Sequence, residues 1–279
     1  MEIALERIRN CVNGELDLSG LGLTMLPPIP EGIIELNCSK NQLTSIPRLP
    51  STLEDLRCAK NQLTSLPALP PSFHFLGCGD NQLTSLPALP PSLFALYCNG
   101  NQLTSLPELP PNFQILRCHT NQLTSLPTLP RIMFSIRCCR NPLTTLPTLP
   151  LQMQEFECSD CQLTSLPTLS ANLRILNCLG NPLEDLPALP LTLQELKCEL
   201  PMHEDPMYNA RRIMLRGMYP DWVWWFDYEL RKSTIEMNQQ RKERCNSRCL
   251  TYKEQIMMKA WHPSRVEKLL EMGYDIEDM

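Results

Sequence analysis

Hydrophobic positions recur along the chain with a period of twenty residues, from about Leu16 to Cys198. Within one unit, Leu96 and Cys98 lie two positions apart, so both point to one face of a short strand, while Tyr97 points to the other. A fixed period of this length is typical of a solenoid, in which stacked units bury a core that no single unit can bury. The inward strand position predicts ten rungs, at Leu16, Leu36, Leu56, Leu76, Leu96, Leu116, Ile136, Phe156, Leu176 and Leu196.

The segment behind each strand has the form Leu-Pro-x-Leu-Pro, as in residues 106–110. Proline lacks a backbone N–H and holds an extended geometry, so these segments cannot be helical. We predict polyproline-II-like backbone on the back of the solenoid. This prediction accounts for most of the 27 prolines in the chain.

The whole unit reads L-x-x-L-x-C-x-x-N-x-L-x-x-L-P-x-L-P, and the phrase NQLTSLP starts at Asn61, Asn81, Asn101 and Asn121. This pattern resembles the short bacterial-type leucine-rich repeat of secreted effectors of the YopM and IpaH kind. One departure is constant, because cysteine takes a strand position that usually holds an aliphatic residue. The resemblance implies a curved, twisted repeat solenoid with a parallel β-sheet on its concave face and an extended convex side. It also implies that the solenoid binds other proteins.

An asparagine follows almost every strand, at the point where the coil bends. In this repeat type, the side-chain amide bonds backbone groups of adjacent turns, which meets the demand that buried peptide groups be paired. Cys161 is the one replacement within the series. The expected structural ladder consists of Asn41, Asn61, Asn81, Asn101, Asn121, Asn141 and Asn181.

Both ends of the chain depart from the period, and we predict three parts. Residues 1–14 form a helix that covers the open first rung and ends at Asn13-Gly14, residues 15–199 form the solenoid, and residues 200–279 form an α-helical C-terminal cap or tail. A membrane-binding role for the first helix stays an alternative, although the helix is short and weakly basic. Its predicted apolar stripe consists of Ile3, Leu5, Ile8 and Val12.

The C-terminal part carries two further signals. Residues 261–279 resemble C-terminal tails in proteins of large DNA viruses, which implies a viral protein that acts in an infected cell or in the particle. Cys245 and Cys249 lie four positions apart on a predicted helix, and His203 or His262 could complete a zinc site. A single C-x-x-x-C with scattered histidines is weak evidence for structural zinc, so no metal site is predicted.

Composition narrows the class of protein. The net charge of −5 is too small to indicate nucleic acid or an anionic membrane as a partner. Nine of the 14 cysteines follow the repeat and face inward, where in-register side chains lie alongside one another, so we expect reduced thiols and a reducing compartment. The N-terminus lacks a signal-peptide pattern, and no stretch reaches the ~20 apolar residues of a membrane span. We therefore expect a cytoplasmic protein without a cofactor.

The outward strand positions form the concave face, which is the usual binding surface of a solenoid. Aromatic and aliphatic side chains lie on neighbouring rungs there, and basic side chains follow them; exposed aromatics beside arginine are typical of interface hot spots. The alternative is that these positions hold ordinary solvated residues whose charges pair across rungs. The candidate partner-binding residues are Phe75, Tyr97, Ile115, Arg117, His119, Arg137 and Arg140.

Catalysis is not expected. Enzymatic relatives in the bacterial group carry a separate helical ubiquitin-ligase domain whose nucleophile lies in Cys-x-Asp, and this chain has that triplet only at Cys158-Ser-Asp160. Cys158 belongs to the inward cysteine series, where we expect a buried and inert thiol. No glycine-rich phosphate loop or hydrolase motif is present in the sequence.

The leading interpretation is a non-enzymatic interaction protein that binds a protein partner, expected to come from a host, on its concave face. Two alternatives stay open. One is an adaptor that links a target to host ubiquitin machinery through the C-terminal tail. The other is a structural component of a virus particle.

Overall fold

The computed structural model describes residues 1–198. The predicted C-terminal helices, the Cys245 and Cys249 pair and the virus-like tail lie outside the described residues. Within them, one 10-stranded parallel sheet runs in chain order, which confirms the predicted ten-rung solenoid. Its strands are β1 (Glu15–Asp17), β2 (Glu35–Asn37), β3 (Asp55–Arg57), β4 (Phe75–Gly77), β5 (Ala95–Tyr97), β6 (Ile115–Arg117), β7 (Ser135–Arg137), β8 (Glu155–Glu157), β9 (Ile175–Asn177) and β10 (Glu195–Lys197).

Each strand pairs with the next in a register of one whole repeat, as in the pairing of Leu96 with Leu116 and of Tyr97 with Arg117. Equivalent side chains therefore stack directly on one another along the solenoid. The middle residue of every strand is buried in the core. The segments between the strands of residues 15–198 contain neither helix nor strand, in keeping with their prolines.

Side chains of different size alternate in the core. At the inward position three residues before the middle of each strand, fully buried phenylalanines at Phe73 and Phe113 alternate with Leu53 and Leu93. Large side chains placed beside small ones fill the interior without voids. Although the backbone repeats regularly, the size of each buried side chain thus has to suit the side chains on the neighbouring rungs.

The inward cysteines are buried and their thiols are free. Burial raises the pKa of Cys38 and Cys78 to about 12. Such thiols stay protonated at neutral pH and pack as small apolar groups. The cysteine series therefore contributes to the core rather than to redox or nucleophilic chemistry.

The ladder asparagines join adjacent rungs through their side-chain amides. In the middle of the solenoid, Asn101 Nδ2 contacts the carbonyl oxygens of Cys78 and Cys98, both at 3.1 Å. Its Oδ1 accepts the backbone N–H of Leu83 at 2.9 Å. The same pair of roles recurs at Asn41, Asn61, Asn81, Asn121, Asn141 and Asn181. Buried peptide groups at the bend of each rung are paired in this way.

Cys161 interrupts this ladder. Its Sγ lies 3.6 Å from the carbonyl oxygens of Cys138 and Ser159. A thiol is a weak donor. It also offers no oxygen to the backbone N–H of Leu143, which is the group that an asparagine here would accept. The rung at β8 therefore lacks hydrogen bonds that its neighbours have.

Replacing Cys161 with asparagine is expected to raise the free energy of unfolding by about 1–2 kcal/mol, because it supplies one acceptor and two donors to buried peptide groups. Urea unfolding followed by circular dichroism measures the change. Cys161→Ala is the control, since it removes the thiol without adding an amide and should be neutral or destabilising. An asparagine variant no more stable than the parent chain contradicts this account of the ladder.

A second polar ladder, which the sequence analysis did not identify, lies on the opposite side of the strands. Ser92 Oγ approaches the carbonyl oxygens of Pro71 and Phe73 at 2.6 and 2.8 Å. Thr192 Oγ makes the equivalent contacts with Ala171 and Leu173 at 2.7 and 2.8 Å. Short hydroxyl side chains at this position pair carbonyls of the preceding rung. Where the hydroxyl is present, the rungs are thus joined at both ends of the strand.

The N-terminal helix is shorter than predicted, and only Ile8 of the predicted apolar stripe packs against the core. Helix α1 spans Glu2–Arg9 and buries only Ala4. Val12 lies beyond the helix and is 90% exposed, and Ile3 is 56% exposed. The helix ends early because the residues between Arg9 and Glu15 must reverse the direction of the chain before β1 begins. Gly14 makes this turn with a φ of +74°.

Helix α1 instead covers the open edge of the sheet with polar groups. The Arg7 guanidinium donates a hydrogen bond to the carbonyl oxygen of Asp17 at 2.7 Å, and the Cys11 thiol reaches that of Glu15 at 3.3 Å. In a parallel sheet, the N–H groups of the preceding strand would donate hydrogen bonds to these two carbonyls. The Leu18 N–H of the first rung donates to the carbonyl oxygen of Asn37, on β2, in this way. The start of the chain therefore satisfies an edge that would otherwise offer free backbone acceptors.

Candidate functional site on the concave face

Two columns of side chains make up the concave face, one on each side of the buried middle residue of the strands. The first column holds Glu35, Asp55, Phe75, Ala95, Ile115, Ser135, Glu155, Ile175 and Glu195. The second holds Asn37, Arg57, Gly77, Tyr97, Arg117, Arg137, Glu157, Asn177 and Lys197. Because the register is one repeat, neighbours within a column are one strand spacing apart, ~4.8 Å. Contacts across rungs therefore follow the columns.

Four side chains from β3 to β6 form a continuous stack, called here the aromatic–arginine row: Arg57, Phe75, Tyr97 and Arg117. The Arg57 guanidinium lies 5.5 Å from the centre of the Phe75 ring. Phe75 and Tyr97 meet edge to face, with ring centres 5.1 Å apart. The Arg117 guanidinium lies 4.5 Å from the centre of the Tyr97 ring. Each contact is of a kind that stabilises aromatic and cationic groups beyond simple burial.

Two small residues make room for this row. A Cβ at Gly77 would lie 3.1 Å from Cε1 of Phe75, so the ring occupies the space above that glycine. Ala95 pairs with Phe75 and Ile115 in the register and is fully buried. The rings therefore lie close against the sheet, which limits their rotation and prepares a rigid apolar surface.

The basic residues near this row are mostly paired. Arg137 Nε lies 3.0 Å from a carboxylate oxygen of Glu157, an ion-pair distance, although the Nε–H makes no hydrogen bond. Arg140 lies 3.6 Å from Asp160. The predicted basic patch is thus largely neutralised by acids one rung further on, as the alternative interpretation of the sequence supposed. Among residues 1–198, Arg117 has no carboxylate partner of this kind.

His119 adds no charge to the patch at neutral pH. Burial lowers the pKa of His119 below its usual 6.5, and the nearby Arg137 and Arg117 lower it further. Asp80 and Glu157 act in the opposite direction but do not reverse the shift. The neutral imidazole is therefore the favoured form beside the two guanidinium groups.

The shift at His119 predicts a loss of stability in mild acid. The folded chain resists a proton that the unfolded chain accepts, so this contribution is intact above pH 6.5 and is lost as the pH falls through the lowered pKa. His119→Gln should reduce the difference in urea midpoint between pH 7.5 and pH 5.5. Equal acid sensitivity in the variant and the parent chain contradicts the prediction. The parent chain and the variant carry the same carboxylates, so the comparison isolates the contribution of His119.

A second ring pair, which the sequence did not single out, consists of His74 and Phe94, the residues immediately before β4 and β5. Their ring centres are 6.2 Å apart, and His74 Nδ1 lies 3.3 Å from a carboxylate oxygen of Glu54. Phe94 is 39% exposed. The sequence does carry a signal for Phe94, because an aromatic residue stands there at a repeat position that holds Gln114 in the next rung. These rings add a second aromatic pair at the start of β4 and β5.

Cys158 is buried in the core, and this burial raises the pKa of its thiol well above the ordinary value. A thiolate nucleophile is therefore not favoured there. Within the described part of the chain, no group of three or more histidine, cysteine, aspartate or glutamate side chains has a geometry for metal. Over the same residues, no helix is both long and apolar enough to cross a membrane.

Comparisons with known proteins agree with the fold. No protein-family model matches the chain, and no curated protein matches it in sequence. Among solved structures, YopM from Yersinia enterocolitica WA-314 is 34% identical over 74% of this chain and 52% of its own, with a TM-score of 0.62. YopM from Yersinia pestis, described as a leucine-rich effector protein, is 34% identical over 70% of this chain and 65% of its own, with a TM-score of 0.62.

The chain thus spans 52% and 65% of the two YopM chains that it matches. At 34% identity the likeness extends beyond the path of the backbone. The described residues have the fold of a leucine-rich repeat solenoid, which they share with the two YopM structures.

Proposed function

We propose that this chain is a non-enzymatic interaction module that binds a protein partner on its concave face. The aromatic–arginine row carries the proposal. It places aromatic rings on the open side of a rigid sheet, together with a guanidinium that has no carboxylate partner among residues 1–198. Aromatic and arginine side chains in such settings supply most of the binding energy of protein interfaces. Binding is assigned to the solenoid, residues 15–199, rather than to residues 1–14 or 200–279.

The candidate residues divide into four roles. Phe75, Tyr97 and Ile115 supply the apolar contact area, and Arg117 supplies the charge. Arg137 and Arg140 already pair with acids, so their role is to hold the neighbouring carboxylates in place. His119, neutral at pH 7, offers a ring nitrogen at the rim.

Replacing Tyr97, Arg117 and Arg137 together with alanine is expected to reduce partner binding at least 30-fold, since loss of one interface hot spot costs about 2 kcal/mol or more. The measurement is affinity capture from host-cell extract followed by mass spectrometry, with quantitative binding for each captured protein. Circular dichroism and urea unfolding establish that the variant is folded.

A matched control carries alanine at Gln62, Gln102 and Gln122, three exposed positions on separate rungs outside the concave columns. A partner retained by this control and lost by the concave-face variant supports the proposal. Equal capture by both variants contradicts the assignment of the site to the concave face.

A further inference from the structure

The charge balance of the concave face singles out one arginine. The two columns contain three arginines, at Arg57, Arg117 and Arg137. Arg57 lies 3.8 Å from Glu35, and Arg137 lies 3.0 Å from Glu157. Arg117 has no such acid among the described residues and makes no hydrogen bond there. Its positive charge is therefore uncompensated on the surface that we propose as the binding site.

The Arg117 guanidinium is also held in a fixed orientation. Its Nε is buried without a hydrogen-bond partner in the described structure, and its Cζ lies over the Tyr97 ring, 4.5 Å from the ring centre. A guanidinium immobilised on one side by an aromatic ring presents its remaining N–H groups as a planar fork. Such a fork matches the two oxygens of a carboxylate, and little side-chain entropy is lost on binding.

The surroundings favour a carboxylate over a phosphate group. Phosphate recognition typically gathers several cationic groups around a dianion. Here Arg137 on β7 is already paired, and His119 is neutral at pH 7. Two acids, Glu155 and Glu157, lie on β8. Among the described residues, the face thus offers one uncompensated positive charge, that of Arg117, which a ligand with a single negative charge would neutralise.

We infer that the partner presents an extended, acidic segment whose carboxylate binds the Arg117 fork while a neighbouring apolar side chain packs on Phe75 and Tyr97. This inference rests on the proposed function and specifies the chemistry of its ligand. The apolar part follows from the rings of Tyr97 and Phe75, which lie one and two rungs from Arg117 in the register. The extended form follows from the row itself, which crosses four rungs and spans ~14 Å.

The test is selection from a displayed library of random linear peptides against the full chain, with Arg117→Glu and Arg131→Glu in parallel. Arg131 is an exposed arginine outside the concave columns, so it is the matched control. The parent chain and Arg131→Glu should enrich peptides that contain Asp or Glu together with an apolar residue. Arg117→Glu should instead enrich Lys or Arg at that position. For the best peptide, changing its acid to the amide should weaken binding about 10- to 100-fold, the usual effect of a charge-assisted hydrogen bond.

The outcomes separate this inference from the proposed function. Neutral peptides selected equally by the parent chain and Arg117→Glu, but lost with Tyr97→Ala, overturn the acidic ligand and keep the binding face. Peptides that are indifferent to Tyr97→Ala as well, or a parent chain that enriches nothing, overturn both. A synthetic peptide with phosphoserine in place of the acid gives the last arm: binding tightened tenfold or more would reassign Arg117 to phosphate.

Discussion

Replacing Asn101 with alanine is expected to lower the free energy of unfolding by about 3 kcal/mol or more. The change removes the amide that contacts the carbonyls of Cys78 and Cys98 and the oxygen that accepts the Leu83 N–H. Each buried peptide group left unpaired costs about 1–3 kcal/mol. Because every rung contacts only its neighbours, the defect also weakens coupling between the two halves of the solenoid.

Urea unfolding followed by circular dichroism measures this loss, and a broadened transition would reveal the weakened coupling. Gln102→Ala is the matched control, because the adjacent side chain is exposed and its backbone N–H still bonds the carbonyl of Leu83. A loss below about 1 kcal/mol for Asn101→Ala would show that water replaces the amide, and the ladder would then not be a main source of stability.

Replacing Phe113 with alanine is expected to cost about 3–5 kcal/mol, through lost burial and the cavity left behind. The Phe113 side chain is fully buried in the centre of the solenoid. Its neighbours on adjacent rungs, Leu93 and Met133, hold the same inward position. Both are fixed by their own strands, so they cannot move in to fill the space.

Phe113→Leu is the control, because leucine is the residue that this position has in the preceding rung. It should cost clearly less than the alanine variant, about 1–1.5 kcal/mol. The denaturation midpoints of the two variants and the parent chain are compared at one pH. Equal losses for leucine and alanine would mean that the ring makes a specific contact and that volume is not the deciding property.

The ten rungs are predictable from the sequence because a single physical demand repeats. Leu96 and Cys98 must both face the core, the next rung imposes the same demand twenty residues later, and the parallel register follows. The asparagine series likewise marks the bend of each rung. A chain with such a strict repeat leaves few ways to stack its strands.

The N-terminal helix shows where this reasoning fails. A hydrophobic pattern predicts which face of a helix is buried when a core waits to receive it. At the end of a solenoid, the backbone carbonyls of the first strand also need hydrogen-bond donors. Arg7 donates such a bond to the carbonyl oxygen of Asp17. Polar side chains therefore set the position of α1, and Ile3 remains exposed.

The charges of the concave face could be predicted only in part. The columns place Arg137 beside Glu157 and Arg117 beside Tyr97, and both neighbours follow from the period. Which arginine lies on a ring and which pairs with an acid depends on side-chain packing, including the space that Gly77 leaves for Phe75. The repeat thus locates the surface, while three-dimensional packing selects the free charge.

The even spacing of the rungs sets the distance between the side chains that a bound peptide can reach. Arg117 and Phe75 lie two rungs apart, on β6 and β4, a distance of ~9.6 Å along the sheet. A polyproline-II chain rises ~3.1 Å per residue and returns to the same side every three residues, or ~9.3 Å. A β-strand returns to the same side every two residues, ~6.6 Å, and matches neither one rung nor two. Peptides that reach both residues should therefore carry their acidic and apolar side chains three positions apart.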